Sequence, residues 1–118
     1  MSPAARSVQV FGVYLLVLAL VLLVAPNLLL TTFFLPPTSE VWIRVVGMLV
    51  GIIGFYYRVA AAAELRQIFV ASVYARVAVL VFFGIFVAAG WALPALLPFG
   101  VIDVLGAAWT WSALRRDA

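Results

Sequence analysis

The chain has 118 residues, of which 69% are hydrophobic and 9% charged, and seven arginines against four acidic residues give a net charge of +3. A soluble domain of this length has no core large enough for so much apolar surface, so the composition indicates an integral membrane protein. Cysteine and histidine are absent, which excludes disulfides, thiol catalysis and the usual zinc, haem and iron–sulfur ligands. We therefore expect no metal or cofactor. The arginines are dispersed, which does not favour nucleic-acid binding.

Long apolar segments dominate the chain, and no charged residue occurs between Ser7 and Ser39. Each segment is near the roughly 20 residues that a membrane-spanning helix needs, and none shows the strict alternation of a barrel strand. The first is longer than the apolar part of a signal peptide, so we expect it to remain uncleaved. The fold class is predicted as an all-α, four-helix antiparallel bundle in a single transmembrane domain, residues 1–118, with spans at about 8–30, 41–59, 67–90 and 91–114.

The arginines predict the orientation of the bundle, because short cytoplasmic loops are enriched in basic residues. With the N-terminus inside, one side of the membrane receives five of the seven: Arg6, Arg58, Arg66, Arg115 and Arg116. Only Arg44 lies near the other side. We therefore predict that both termini are cytoplasmic and that the protein resides in a bacterial inner membrane.

Glycine and proline mark the connections between the predicted spans. Pro36 and Pro37 fit a helix stop before the second span, and Gly90 fits a left-handed helix end before the fourth. Pro94 suits the first turn of the fourth span, whereas Pro98 is expected to distort it.

Two charged residues lie deep in the predicted spans. Arg76 follows Arg66 along the third span, which leads away from the cytoplasm, and Asp103 precedes Arg115 along the fourth span, which leads back to it. At the rise of an α-helix both residues lie roughly 15–18 Å from the cytoplasmic arginines. An unpaired charge at this depth costs at least a few kcal/mol, so we expect Arg76 and Asp103 to meet inside the bundle. The pair could be structural and fix the helix register, or it could be the floor of a polar site for a head group, an anion or a proton.

Further polar residues surround these two charges. Ser72 lies one turn before Arg76, and Thr110 lies on the same face of the fourth span as Asp103. Tyr14 and Tyr57 could approach from the cytoplasmic half of the first and second spans. The predicted ligand-binding residues are therefore Arg76, Asp103, Tyr14, Tyr57, Ser72 and Thr110.

Gly47, Gly51 and Gly54 form a small-residue strip in the second span, and the first two make one G-x-x-x-G motif. Helix backbones can approach closely along such a strip. It could pack against another helix of the same chain, or it could be the seam of a homodimer.

Three functions fit these features. The first is binding or transport of an amphipathic small molecule or lipid at the Arg76–Asp103 site. The second is a structural or assembly role through the glycine strip, and the third is an intramembrane lipid-modifying enzyme with Asp103 as acid or base. The shortage of catalytic side chains makes the third the weakest, and we do not expect an enzyme. The expected partners are membrane lipids, possible amphipathic molecules and further copies of the chain.

In length and number of spans the chain resembles the small multidrug transporters. That family carries a glutamate in its first span, and the first span here has no acidic residue. A proton-coupled mechanism of the kind that the resemblance implies would need Asp103 in place of that glutamate.

Overall fold

The regular structure of the chain is entirely helical in the computed structural model, which describes residues 1–117. Five α-helices and one short 3-10 helix follow one another: α1 (Pro3–Val24), α2 (Pro26–Thr32), α3 (Trp42–Ala62), α4 (Arg66–Ala88), the 3-10 helix Pro94–Leu96, and α5 (Leu97–Asp117). Four helical stretches are long and apolar enough to cross a membrane, namely α1, α3, α4 and Pro94–Arg116. The chain is therefore an all-α integral membrane protein, and the all-α class with four candidate spans predicted from the sequence is confirmed.

The first span begins and ends earlier than the predicted 8–30. Ser2 caps α1, because its Oγ accepts a hydrogen bond from the backbone N–H of Ala5 at 3.1 Å, and Pro3 occupies the first turn. The helix ends at Val24, and Ala25 adopts an extended φ of −140° before Pro26 opens α2. Pro26 has no N–H to continue the α-helical ladder, so the apolar stretch is divided into two helices.

The far end of α1 meets the beginnings of α3 and α5. The Nε of Arg44 donates a hydrogen bond to the carbonyl of Leu23 at 3.0 Å, which satisfies one of the free carbonyls at the end of α1. The ring of Phe33, just after α2, lies 4.7 Å from the ring of Phe99 in α5. We call this side of the molecule the α2 end.

The opposite side, which we call the arginine-rich end, joins the start of α1, the loop between α3 and α4, and the last turns of α5. Ser2 donates two hydrogen bonds to the carboxylate of Glu64, from its backbone N–H at 2.6 Å and its Oγ at 2.8 Å. These bonds lower the pKa of the Glu64 carboxyl below its usual value. The guanidinium of Arg66 donates to the carbonyl of Leu114 at 3.2 Å. The five arginines predicted to lie on one side of the membrane belong to the segments that meet here.

The fourth span also differs from its predicted bounds of 91–114. Gly90 has a φ of +79°, as predicted, and the chain then turns before the 3-10 helix Pro94–Leu96. Pro98 lies in the first turn of α5 and not in its interior. A missing N–H costs nothing in a first turn, so the helix needs no distortion there.

The glycine strip of α3 packs against α1 of the same chain. A Cβ added to Gly54 would lie 2.9 Å from the carbonyl oxygen of Gly12, and one added to Gly47 would lie 2.8 Å from the Cβ of Leu22. A Cβ on Gly51 would lie 3.1 Å from the Cβ of Ala19. Because α1 already covers this strip, it does not offer a free seam to a second copy of the chain.

The four spans do not form a closed ring. Helix α1 packs extensively against α3 and also against α5, and α5 packs against α4, whereas α3 and α4 touch each other little. This leaves a space between α3 and α4.

Candidate functional site

Arg76 is the best-buried charged residue among those whose burial the structure describes, with 2% of its surface exposed. It lies ten positions into α4, about 15 Å from the start of the helix at 1.5 Å per residue. Its Nε donates to the carbonyl of Ser72 at 3.1 Å, and its Nη2 donates to the Oγ of Ser72 at 2.9 Å. Ser72 is one turn earlier on the same face of α4, so this part of the site is local to the helix.

The second hydrogen of Nη2 connects α4 to α5 and α1. It is donated to the Oγ1 of Thr110 at 2.9 Å, and the Oγ1 of Thr110 lies 2.7 Å from the Oγ of Ser7. The Ser7 hydroxyl donates to the carbonyl of Ala4 at 2.7 Å, so the Thr110 hydroxyl must be the donor to Ser7. Ser7, Ser72 and Thr110 are all buried. A continuous hydrogen-bond chain therefore holds one face of the guanidinium inside the bundle.

Aromatic rings cover the guanidinium on its other sides. The Cζ of Arg76 lies 4.7 Å from the ring centroid of Phe11 on α1 and 5.8 Å from that of Tyr57 on α3. Contacts of this kind favour a cation in surroundings without water. The site thus draws on all four spans.

One nitrogen of Arg76 remains without a partner. Nη1 is buried and has no hydrogen-bond partner among residues 1–117. It lies against α5 at Gly106, where an added Cβ would be 3.2 Å from Nη1 and 2.7 Å from the ring of Phe11. Gly106 therefore makes the room that both side chains occupy.

The predicted direct pairing of Arg76 with Asp103 is not what holds the arginine. Its hydrogen bonds go to Ser72 and Thr110, and Asp103 takes part in no side-chain hydrogen bond within the described residues. The Arg76 side chain turns back along α4 to Ser72, one turn earlier, and this brings the guanidinium to the hydroxyl of Thr110. Asp103 is half-buried about one helical turn from Gly106, and like Arg76 it faces a cavity.

This cavity has a volume of about 520 Å³ and lies between the spans and α2. At the level of Arg76 its lining is polar and aromatic, with Phe11, Tyr14, Tyr57 and Asp103. From there to the α2 end the lining is apolar and includes Leu18, Val50, Val79, Phe83, Leu30 and Leu96. The volume is within the range of roughly 300–1,000 Å³ that is usual for small-molecule sites.

The cavity follows the gap between α3 and α4. On α3 its lining residues recur at helical spacing, at Ile43, Val46, Val50, Ile53 and Tyr57, and they form the face next to the glycine strip. Val46 and Ile53 on α3 and Phe82 on α4 line the cavity and are nevertheless 47%, 44% and 57% exposed. The cavity is therefore accessible from the side of the bundle, where lipid would lie.

The structure divides the predicted site residues into two groups. Arg76, Asp103, Tyr14 and Tyr57 line the cavity, whereas Ser72 and Thr110 are behind Arg76 and hold it in place. Ser7, Phe11 and Gly106 also belong to this site and were not predicted from the sequence. Ser7 and Phe11 precede Tyr14 at helical spacing on one face of α1, which is the pattern that could have revealed them.

Comparisons with known proteins add no family to this description. A scan against protein-family models gave no match, and searches of curated proteins and of solved structures gave none either.

Proposed function

We propose that this membrane protein binds an amphipathic small molecule or lipid, and moves or presents it within the bilayer. The apolar part of the ligand occupies the cavity, and its polar group lies at Arg76 and Asp103. The observation that carries the proposal is a cavity of about 520 Å³ that is apolar over most of its length and has Arg76 and the Asp103 carboxylate at one end, the latter without a side-chain hydrogen bond among the described residues.

Asp103 is the charged group of the lining that a ligand can reach. Its carboxylate takes part in no side-chain hydrogen bond among the described residues, and it can accept one from a ligand. A buried polar group without a partner costs about 1–3 kcal/mol, and more when it is charged, so a ligand that donates to this carboxylate offsets part of that cost.

The alternative of an assembly protein has less support. It was based on the glycine strip, and that strip packs against α1 of the same chain. Self-association through another surface remains a prediction. The proposed orientation keeps both termini in the cytoplasm of a bacterial cell, which is supported by the arginines that gather at one end.

Native mass spectrometry of the protein released from lipid nanodiscs tests the proposal. Val79→Trp places a large ring in the cavity, and Val77→Trp makes the same change on a part of α4 that is 42% exposed and does not line the cavity. We expect the wild type and Val77→Trp to keep a bound amphiphile and Val79→Trp to lose it. Equal adducts on all three proteins, or none on the wild type, would contradict a binding role for the cavity.

A further inference from the structure

We infer that the ligand is a single-chain lipid whose head group is uncharged and bears a hydroxyl, with the head at Arg76 and Asp103 and the tail directed to the α2 end. This inference rests on the proposed function and adds the chemical class of the ligand.

The charge of the site favours a neutral head. Arg76 and Asp103 are the two charged residues that line the cavity, so their formal charges sum to zero. A charged head group would leave one charge uncompensated in surroundings of low dielectric constant, which is strongly unfavourable. A phosphate would also face the Asp103 carboxylate, and an ammonium group would face the guanidinium.

The unused hydrogen-bonding group of the lining requires a head that donates. The Asp103 carboxylate can only accept, and no side-chain donor among the described residues bonds to it. A hydroxyl supplies this donor without adding a charge, because its hydrogen is donated to the carboxylate. A long-chain alcohol and an alkyl hydroquinone share this chemistry. The rings of Phe11 and Tyr14, whose centroids are 5.2 Å apart and whose planes are tilted by 52°, line the cavity and can contact the ring of the second.

The length of the cavity fits one lipid chain. Along α3 the lining runs from Tyr57 to Ile43, a distance of about 21 Å at 1.5 Å per residue. One leaflet of a hydrocarbon core about 30 Å thick has a depth of about 15 Å, so the lining is long enough for a lipid chain that spans one leaflet. The accessible gap between α3 and α4 lets such a chain enter from the side, without passage through water.

A panel of probes with matched tails tests the inference: hexadecanol, hexadecyl phosphate and hexadecyltrimethylammonium, with hexadecyl hydroquinone as a second neutral head. Dissociation constants are measured by native mass spectrometry on the full chain in detergent. We expect hexadecanol to bind at least tenfold more tightly than either charged probe. Comparison with hexadecyl hydroquinone then shows whether the site prefers a flat head.

Asp103→Asn is expected to change which head group the site prefers in the same assay. The variant removes the negative charge while keeping the shape of the side chain, so hexadecyl phosphate is expected to bind at least tenfold more tightly to it than to the wild type. A charged probe that binds the wild type as tightly as hexadecanol would overturn the inference and leave the proposed function intact. If no probe binds the wild type, or if Val79→Trp binds all of them equally well, the proposed function fails together with the inference.

Discussion

Thr110→Val tests the hydrogen bonds by which Thr110 on α5 joins Arg76 on α4 to Ser7 on α1. The change replaces a fully buried hydroxyl by a methyl group of similar size, so it removes two hydrogen bonds without opening a cavity. A hydrogen bond to a charged group contributes about 1.5–3 kcal/mol and a neutral one about 0.5–1.5 kcal/mol, and measured values between membrane helices are at the lower end. Nη2 keeps its bond to Ser72 and Ser7 keeps its bond to Ala4, so each group retains one hydrogen bond, while the second hydrogen of Nη2 loses its acceptor.

We therefore expect Thr110→Val to lower the free energy of unfolding by about 1.5–3 kcal/mol. The assay is reversible unfolding in mixed micelles with increasing sodium dodecyl sulfate, followed by tryptophan fluorescence. Thr32→Val is the matched control, because the Thr32 hydroxyl bonds only to the exposed carbonyl of Leu28, and it should change stability by less than about 0.5 kcal/mol. The reasoning is refuted if Thr110→Val costs no more than this control. Ser7→Ala combined with Thr110→Val should cost less than the sum of the two single changes, since they share one hydrogen bond.

Three further predictions concern packing, pH and orientation. Gly54→Ala should destabilise the bundle by about 1–3 kcal/mol in the same unfolding assay, because its Cβ meets a backbone oxygen of α1, whereas Gly84→Ala, with nothing within 4 Å, should be neutral or stabilising. The hydrogen bonds from Ser2 lower the pKa of the Glu64 carboxyl in the folded protein. The stability that the Glu64 carboxylate contributes is therefore present above its ordinary pKa of 4.5, and it is lost as the pH falls through the lower pKa of the folded state. The difference in melting temperature between wild type and Glu64→Gln should therefore shrink on acidification, and a constant difference would contradict this account. Single-cysteine variants Glu64→Cys and Ser39→Cys should react with an impermeant thiol reagent from opposite sides of the membrane, the first from the cytoplasm, and labelling from one side would contradict the proposed orientation.

Hydropathy and charge were sufficient to predict the membrane class, the number of spans and the residues that would lie deepest. They did not predict where the first span ends. An apolar residue has the same hydropathy inside a helix as next to the end of one, and Pro26 ends α1 in the middle of an apolar stretch. Hydropathy also did not predict the short connection before the fourth span, because the turn after Gly90 is itself apolar.

The partner of Arg76 was not predictable by the same means. Spacing from Arg66 gives the depth of Arg76 along the helix axis but not the direction in which its side chain points. Charge matching at equal depth selected Asp103. The Arg76 side chain instead turns back along α4 to Ser72, and there it meets Thr110, two turns from Asp103 on the same face of α5. The cavity exists because α3 and α4 make few contacts with each other. Residue spacing in a single sequence does not show which helices will be in contact, so the cavity could not be predicted.

The hydrogen-bond chain from Arg76 to Ser7 has a consequence for how the protein is made. Ser7, Phe11 and Tyr57 are synthesised before Arg76, so its aromatic cover already exists when α4 emerges from the ribosome. Thr110 is added last, and until α5 has entered the bilayer the guanidinium lacks the bond that ties it to α1. A nascent chain stopped after Gly90 therefore carries a half-satisfied cation in its membrane portion, a defect by which quality control could recognise an unfinished molecule.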